Sequence, residues 1–317
     1  GGSVVDSTAG AETEEVREIA DFQAAVRGCQ LVLSLAQFRP EKDHKLQIDS
    51  FARLLFLGQL PRWKQWKLRT HGREMDPGGE DGCSWSGGAA LRSEKGAFDD
   101  VCLVIAGSTR NEDDVALVEI LKSYVRNYDF DALWDEQMEW NDHHETDNVD
   151  KEEKEELAST LGRVLRKRVH FVVNVSLSRL QSLCARASVG LHSMWCEHFG
   201  IGVVEMMAAG LVVVAHDSGG PRMDIVRPAL RADPQMPPSP PLLEADGQGE
   251  MDGCSTGGET AQHCGYLASS ASDYASCLAS ALSLPPARRV SARHRARQRA
   301  LDHFGDAQFE QGVLEML

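Results

Sequence analysis

No apolar run in this sequence approaches the roughly 18 residues needed to span a membrane. Its opening stretch, GGSVVDSTAGAETEE, lacks the basic end and apolar stretch of a signal peptide. None of the eight cysteines follows CxxC spacing, and several fall in apolar segments, a distribution that suits free thiols in a reducing compartment. Aromatic residues make up only 6% of the chain. Positive charge is also short: 33 Lys and Arg face 48 Asp and Glu, a formal net charge of -15, which argues against a nucleic-acid-binding surface. Much of that excess sits in DFDALWDEQMEWNDHHETDNVDKEEKEE, so net charge describes this stretch more than the rest.

What is present is enough for a core: 317 residues, 42% of them hydrophobic. Short β-rich runs occur at 31–38 (LVLSLAQF), 101–108 (VCLVIAGS), 169–176 (VHFVVNVS), 188–194 (SVGLHSM), 211–218 (LVVVAHDS) and 265–269 (GYLAS). Between them lie stretches whose apolar residues recur at three and four, such as KLQIDSFARLLF, VALVEILKSYV, LSRLQSLCARA and DYASCLASALSL. This alternation predicts an α/β fold with a doubly wound, Rossmann-like parallel sheet. Residues 1–30 read as a linker and 31–317 as the folded unit. Three segments, about 60–99, 128–160 and 227–263, have the composition of surface insertions. His143–His144 and His263–Cys264 with Cys254 contain metal-ligand residue types, but without four-ligand spacing they read as solvated loops. The basic helix near the end, PPARRVSARHRARQRALDHF, reads as a solvated face.

The residues that suggest chemistry cluster at two strand exits. Arg39 and Lys42 follow the first strand, at the carboxyl edge where open α/β sheets bind ligands, and Asp43 is placed to cap the next helix. Two cations there suit a phosphate group or a charged surface turn. After SVGLHSM come Glu197 and the turn Phe199-Gly200-Ile201-Gly202, which opens a helix bearing Glu205. Glycines at a helix start let backbone N–H groups approach a ligand, and the helix dipole favours oxygen-rich or anionic groups. Because nearly every neighbour in GIGVVEMMAAG is small or apolar, the composition predicts a buried Glu205.

Glu197 and Glu205, enclosing HFGIGVV, resemble the E-x7-E signature of retaining glycosyltransferases with two Rossmann-like domains, the GT-B fold. QFRPEKDH, LHSMWCEHFGIGVVE and AHDSGGPRMDIV resemble the dolichol-linked oligosaccharide α-1,2-mannosyltransferases of asparagine-linked glycosylation. The resemblance implies the donor-binding half of such an enzyme, using GDP-mannose without a metal or other cofactor at the cytosolic face of the endoplasmic reticulum membrane. It implies that Arg39 and Lys42 hold the donor diphosphate and that Glu205 holds the ribose hydroxyls. Glu197, with the amides of Phe199, Gly200, Ile201 and Gly202, would meet the mannose, while Gly219 and Gly220 shape the adjoining loop. Partners would be the dolichol-linked oligosaccharide acceptor and an N-terminal acceptor domain carrying the membrane attachment, for which this chain offers only about 30 residues before its first strand. Ala36-Gln37 replaces the Gly-Arg usual in the wider superfamily, leaving Arg39 as the substitute cation. The alternatives are transfer from another nucleotide sugar and a non-catalytic module that binds nucleotide sugars.

Overall fold

The structure, a computed structural model, describes residues 20–71, 97–131, 133, 151–227, 229–231 and 263–306. Its strands are β1 (Gln30–Leu35), β2 (Val101–Gly107), β3 (Val169–Val173), β4 (Val189–His192), β5 (Val212–His216), β6 (Ala229–Arg231) and β7 (Gly265–Ala268). Its helices are α1 (His44–His71), α2 (Glu112–Arg126), α3 (Lys151–Arg168), α4 (Leu177–Arg186), α5 (Ile201–Ala208), α6 (Ala271–Leu282) and α7 (Pro286–Phe304). The strands form one sheet in the order β3-β2-β1-β4-β5-β7-β6, and each neighbouring pair is parallel. This is the expected doubly wound architecture.

Strand alternation divides the core into two layers. Val32, Ile105, Leu191 and Val214 face one side, where α1 and α6 bring Ile48, Leu55 and Leu278. Leu33, Val104 and Val213 face the other, against Leu183 of α4, Met206 of α5 and Ala296 of α7. β4 and β5 are buried at every position, which explains their continuous apolar runs. A Cβ on Gly190 would lie 2.8 Å from the Met206 sulfur, so this glycine lets α5 sit close on β4. Polar caps start the helices: Asn111 accepts from the Asp114 amide, and Ser270 with Asp273 forms a capping box on α6. Asp43 Oδ1 accepts from the Leu46 amide at 3.1 Å, the capping role expected of it.

Several boundaries read from composition move. Val26 is fully buried on the second face with Phe22 packed nearby, so the chain joins the core before residue 31. α1 runs through His71, into the segment read as an insertion from about residue 60. α3 starts at Lys151, inside the acidic segment 128–160. β6 lies within 227–263, where no strand was anticipated. His263 and Cys264, read as part of a solvated loop, are buried instead, at 5% and 2% exposure beside β7, while residues 72–96, 134–150 and 232–262, with His143, His144 and Cys254, lie outside the described residues.

α3 is a structural helix: Leu161 and Leu165 are 0% exposed. Leu165→Ala should therefore lower unfolding free energy by about 2–5 kcal/mol, measured by urea denaturation. Ile120→Ala, at a position 62% exposed, should change it by no more than about 0.5 kcal/mol. Equal, small effects would show that α3 is not part of the core.

Candidate functional site

The strand order reverses between β1 and β4, so the chain leaves these two neighbours in opposite directions and opens a crevice at their carboxyl ends. A cleft of about 480 Å³ lies there. Lys42 enters it from the turn after β1, His192 and Glu197 from β4 and its exit loop, and Gly202 and Glu205 from α5. The far wall includes Asn174, whose backbone has a φ of 52°. Its side chain clasps Thr109, accepting from the amide and donating to the hydroxyl, each at 2.9 Å.

Both loops flanking the crevice are tied down by polar contacts. The Ser193 hydroxyl lies 2.7 Å from the Lys42 carbonyl and 2.9 Å from that of Asp43, and it accepts from Gln47 Nε2 at 2.8 Å. The β4 exit thereby holds the β1 exit in place. Tyr274 donates from α6 to the His192 carbonyl at 2.9 Å. On the other side, the Cys196 amide donates to Ser218 Oγ at 2.8 Å and the Gly220 amide to the Glu197 carbonyl at 2.7 Å. A Cβ on Gly219 would come 2.2 Å from the Glu197 carbonyl oxygen, and one on Gly220 would come 2.3 Å from that of Phe199. Only glycine lets these two backbones pack so closely.

Gly200, at φ 100°, turns the chain into α5. A Cβ on Gly202 would sit 3.1 Å from the Leu35 carbonyl oxygen, so the helix start abuts the end of β1. The first amides of a helix have no intrahelical acceptor, and Ile201 and Gly202, at this start, line the cleft. Phe199 leans away from it, edge-on to Phe304 of α7 at 5.6 Å between centroids.

Glu197 is the electrostatic centre. Its Oε2 accepts from Lys42 Nζ at 2.7 Å and lies 3.5 Å from His192 Nε2. Lys42 also contacts the Met194 sulfur at 3.0 Å. Burial alone would raise the Glu197 carboxyl, but the Lys42 hydrogen bond and charge, assisted by His192, hold it below its ordinary value. Burial pushes the His192 imidazole down to about 4; Glu197 opposes that push, and the charges of Lys42 and His216 add to it. Burial likewise lowers His44 and His216.

The expected cluster is therefore assembled in part. Lys42, Glu197, Glu205, Ile201 and Gly202 share one cleft, but Glu205 is exposed rather than buried. Val203, Val204, Met206 and Met207 form the buried face of α5, and Glu205 lies out of phase with them on the cleft side. Arg39 is not among the lining residues: its guanidinium meets Glu41 at 3.3 Å. His192 had been assigned no role, although a polar residue closing an otherwise apolar strand was visible in SVGLHSM.

These shifts have one sign. An unfolded histidine titrates near 6.5, whereas folded His192 titrates near 4, so acidification protonates the unfolded chain first. Its stability contribution is complete above about pH 6.5 and is lost towards about pH 4, a loss of about 3 kcal/mol at 1.36 kcal/mol per unit. The lowered Glu197 extends the loss to more acid pH. Urea midpoints should fall across that window, and the drop should shrink in His192→Gln; a flat profile would contradict the neutral buried imidazole.

The profile described as "Glycosyl transferases group 1" matches residues 89–230. A GDP-Man:Man(3)GlcNAc(2)-PP-Dol α-1,2-mannosyltransferase of Mus musculus is 31% identical over 284 residues, covering 90% of this chain and 37% of its own length. The protein of the same description from Neurospora crassa is 29% identical, with 90% and 33% covered. The chain thus spans about a third of the length of these relatives. Among solved structures, Anabaena HepE, crystallised with UDP and glucose, matches at a TM-score of 0.50 and 14% identity, covering 94% of this chain and 50% of that one. A UDP-forming α,α-trehalose-phosphate synthase from Burkholderia vietnamiensis matches at 0.50 and 12%, covering 94% and 47%. At such identities these two likenesses concern the fold alone. Residues 89–230 thus match the glycosyl transferases group 1 family, and over nine-tenths of its own length the chain is similar to GDP-Man:Man(3)GlcNAc(2)-PP-Dol α-1,2-mannosyltransferases.

Proposed function

We propose that this chain is the donor-binding part of a retaining α-1,2-mannosyltransferase that moves mannose from GDP-mannose to a dolichol-diphosphate-linked oligosaccharide at the cytosolic face of the endoplasmic reticulum membrane. The observation that carries the reading is the meeting of Lys42, the amide end of α5 and Glu205 in one cleft at the point of strand reversal. A diphosphate needs fixed positive charge, which Lys42 and the helix start provide without a metal ion. A ribose diol needs an acceptor, and the open Glu205 carboxylate provides one. Glu197, beside Lys42 in the same cleft, meets the transferred sugar in this reading. The guanosine and mannose assignments rest on the named relatives.

Bond cleavage leaves negative charge on the departing diphosphate, and preorganised donors at Lys42 and α5 stabilise it where it develops. The acceptor hydroxyl then attacks from the face the diphosphate leaves, which retains the anomeric configuration. The acceptor-binding surface and membrane attachment are assigned to the part of the relatives' length that this chain does not span. That share favours a second reading, in which this stretch binds the nucleotide sugar but transfers nothing by itself.

Calorimetry with a chelator present should show binding of GDP and GDP-mannose; preference for UDP sugars would overturn the guanosine assignment. Glu205→Ala should weaken GDP binding by about 1.5–3 kcal/mol, the scale of a charge-assisted hydrogen bond. Because Glu205 is exposed, the same change should leave stability within about 0.5 kcal/mol. Glu197→Ala releases Lys42, so GDP should bind at least as tightly as to wild type. Unchanged GDP affinity in Glu205→Ala would remove the ribose role, and a large GDP loss in Glu197→Ala would remove the division between the two carboxylates.

A further inference from the structure

Two nitrogen groups compete for one oxygen. Glu197 Oε2 holds Lys42 Nζ at 2.7 Å, while His192 Nε2 waits 3.5 Å away. If the cleft takes a diphosphate, Lys42 is the cation it recruits, and Glu197 then loses its closest partner. Its side chain is only 16% exposed, so solvent compensates poorly for that loss. We propose that His192 is a proton-coupled positioning residue: when a nucleotide-sugar diphosphate draws Lys42 away, His192 takes a proton from solvent and holds Glu197 towards the sugar. The proposal rests on the donor-site reading and deepens it.

The geometry supports this exchange. The His192 backbone is fixed through its carbonyl by Tyr274, and its side chain is 5% exposed. Nδ1 is buried without a hydrogen-bond partner among the described residues, so none of them fixes the tautomer from outside the pair. The ionisable groups around the imidazole come from four elements: Lys42 from the turn after β1, Glu197 from the loop before α5, His216 from β5 and Tyr274 from α6. Burial and the Lys42 charge keep the ring neutral at rest, whereas Glu197 favours its charged form. Pairing Lys42 with phosphate cancels the repulsion and leaves the attraction. Only a proton moves, from solvent to the ring, and no heavy-atom bond changes. A buried histidine that merely fills space would not respond to Lys42.

Imidazole titrations followed by NMR test the local coupling. In Lys42→Gln the His192 pKa should rise from about 4 by about one unit or more, the usual effect of removing a nearby like charge; no rise overturns the proposal. The ligand arm uses GDP-mannose, whose diphosphate is esterified at both ends and has no phosphate proton to exchange near neutrality. Calorimetry at about pH 5.5 in buffers of different ionisation enthalpy should show uptake of a fraction of a proton by wild type and none by His192→Gln. Relative to that variant, wild type should bind GDP-mannose at least about two-fold more tightly at about pH 5 than at about pH 7. Should His192→Gln fail to fold, the wild-type titration with and without saturating GDP-mannose gives the same answer: a higher His192 pKa in the complex supports the exchange, and an unchanged one overturns it. Proton uptake with UDP-glucose but no binding of GDP-mannose would keep the switch and overturn the guanosine donor; binding of neither overturns both.

Discussion

The contact between Lys42 and Glu197 joins the two chain segments that leave the sheet on either side of its reversal point. Lys42 reaches it from the β1 exit and Glu197 from the β4 exit, 155 positions apart in the sequence. Its net worth to folding is small, because desolvating two charges offsets much of their attraction, whereas removing either partner leaves the other stranded. The pair is therefore better understood as a constraint on the site. It holds a cation at the edge of the cleft while balancing that cation's charge.

That constraint works only because the backbone beneath it is rigid. Ser193 and Gln47 lock the carbonyls of the Lys42 turn, and Tyr274 locks the carbonyl of His192. Under Glu197 the chain rests against Gly219 and Gly220 at distances that any side chain would prevent. The Glu197 main chain is consequently held by the β5 exit, while its carboxylate remains the part able to exchange partners. Glycine in DSGGP thus has a packing reason, separate from any contact with a ligand.

Much of this was legible because buried parallel strands write themselves as apolar runs. The six expected strands correspond to β1–β5 and β7, whereas the three-residue β6 is too short to stand out from the Pro- and Gly-rich segment around it. α3 was hidden for a different reason. Its first six residues read KEEKEE, which dominates composition, while Leu157, Leu161 and Leu165 keep the four-residue spacing of a packed helix. The misjudged burial of Glu205 came from averaging over neighbours instead of following helical phase. Arg39 and Lys42 are three residues apart in the sequence, but of the two only Lys42 lines the cleft, because the short 3-10 turn Pro40–Lys42 carries the chain round between them.

The seven residues between Glu197 and Glu205 place the carboxylates on opposite sides of a helix start, in unlike surroundings. Glu197 lies in the loop before α5, partly buried and already engaged with Lys42. Glu205 lies one turn into α5, exposed to the cleft. A carboxylate already paired with a cation can exchange that partner when another anion arrives; an open one can accept hydroxyl hydrogen bonds with no partner to displace. The amides of the helix start lie between them and favour negative charge. An elongated ligand carrying hydroxyls, then phosphate, then a sugar would therefore meet, along one short segment, an acceptor, a set of donors and an exchangeable acceptor in the matching order.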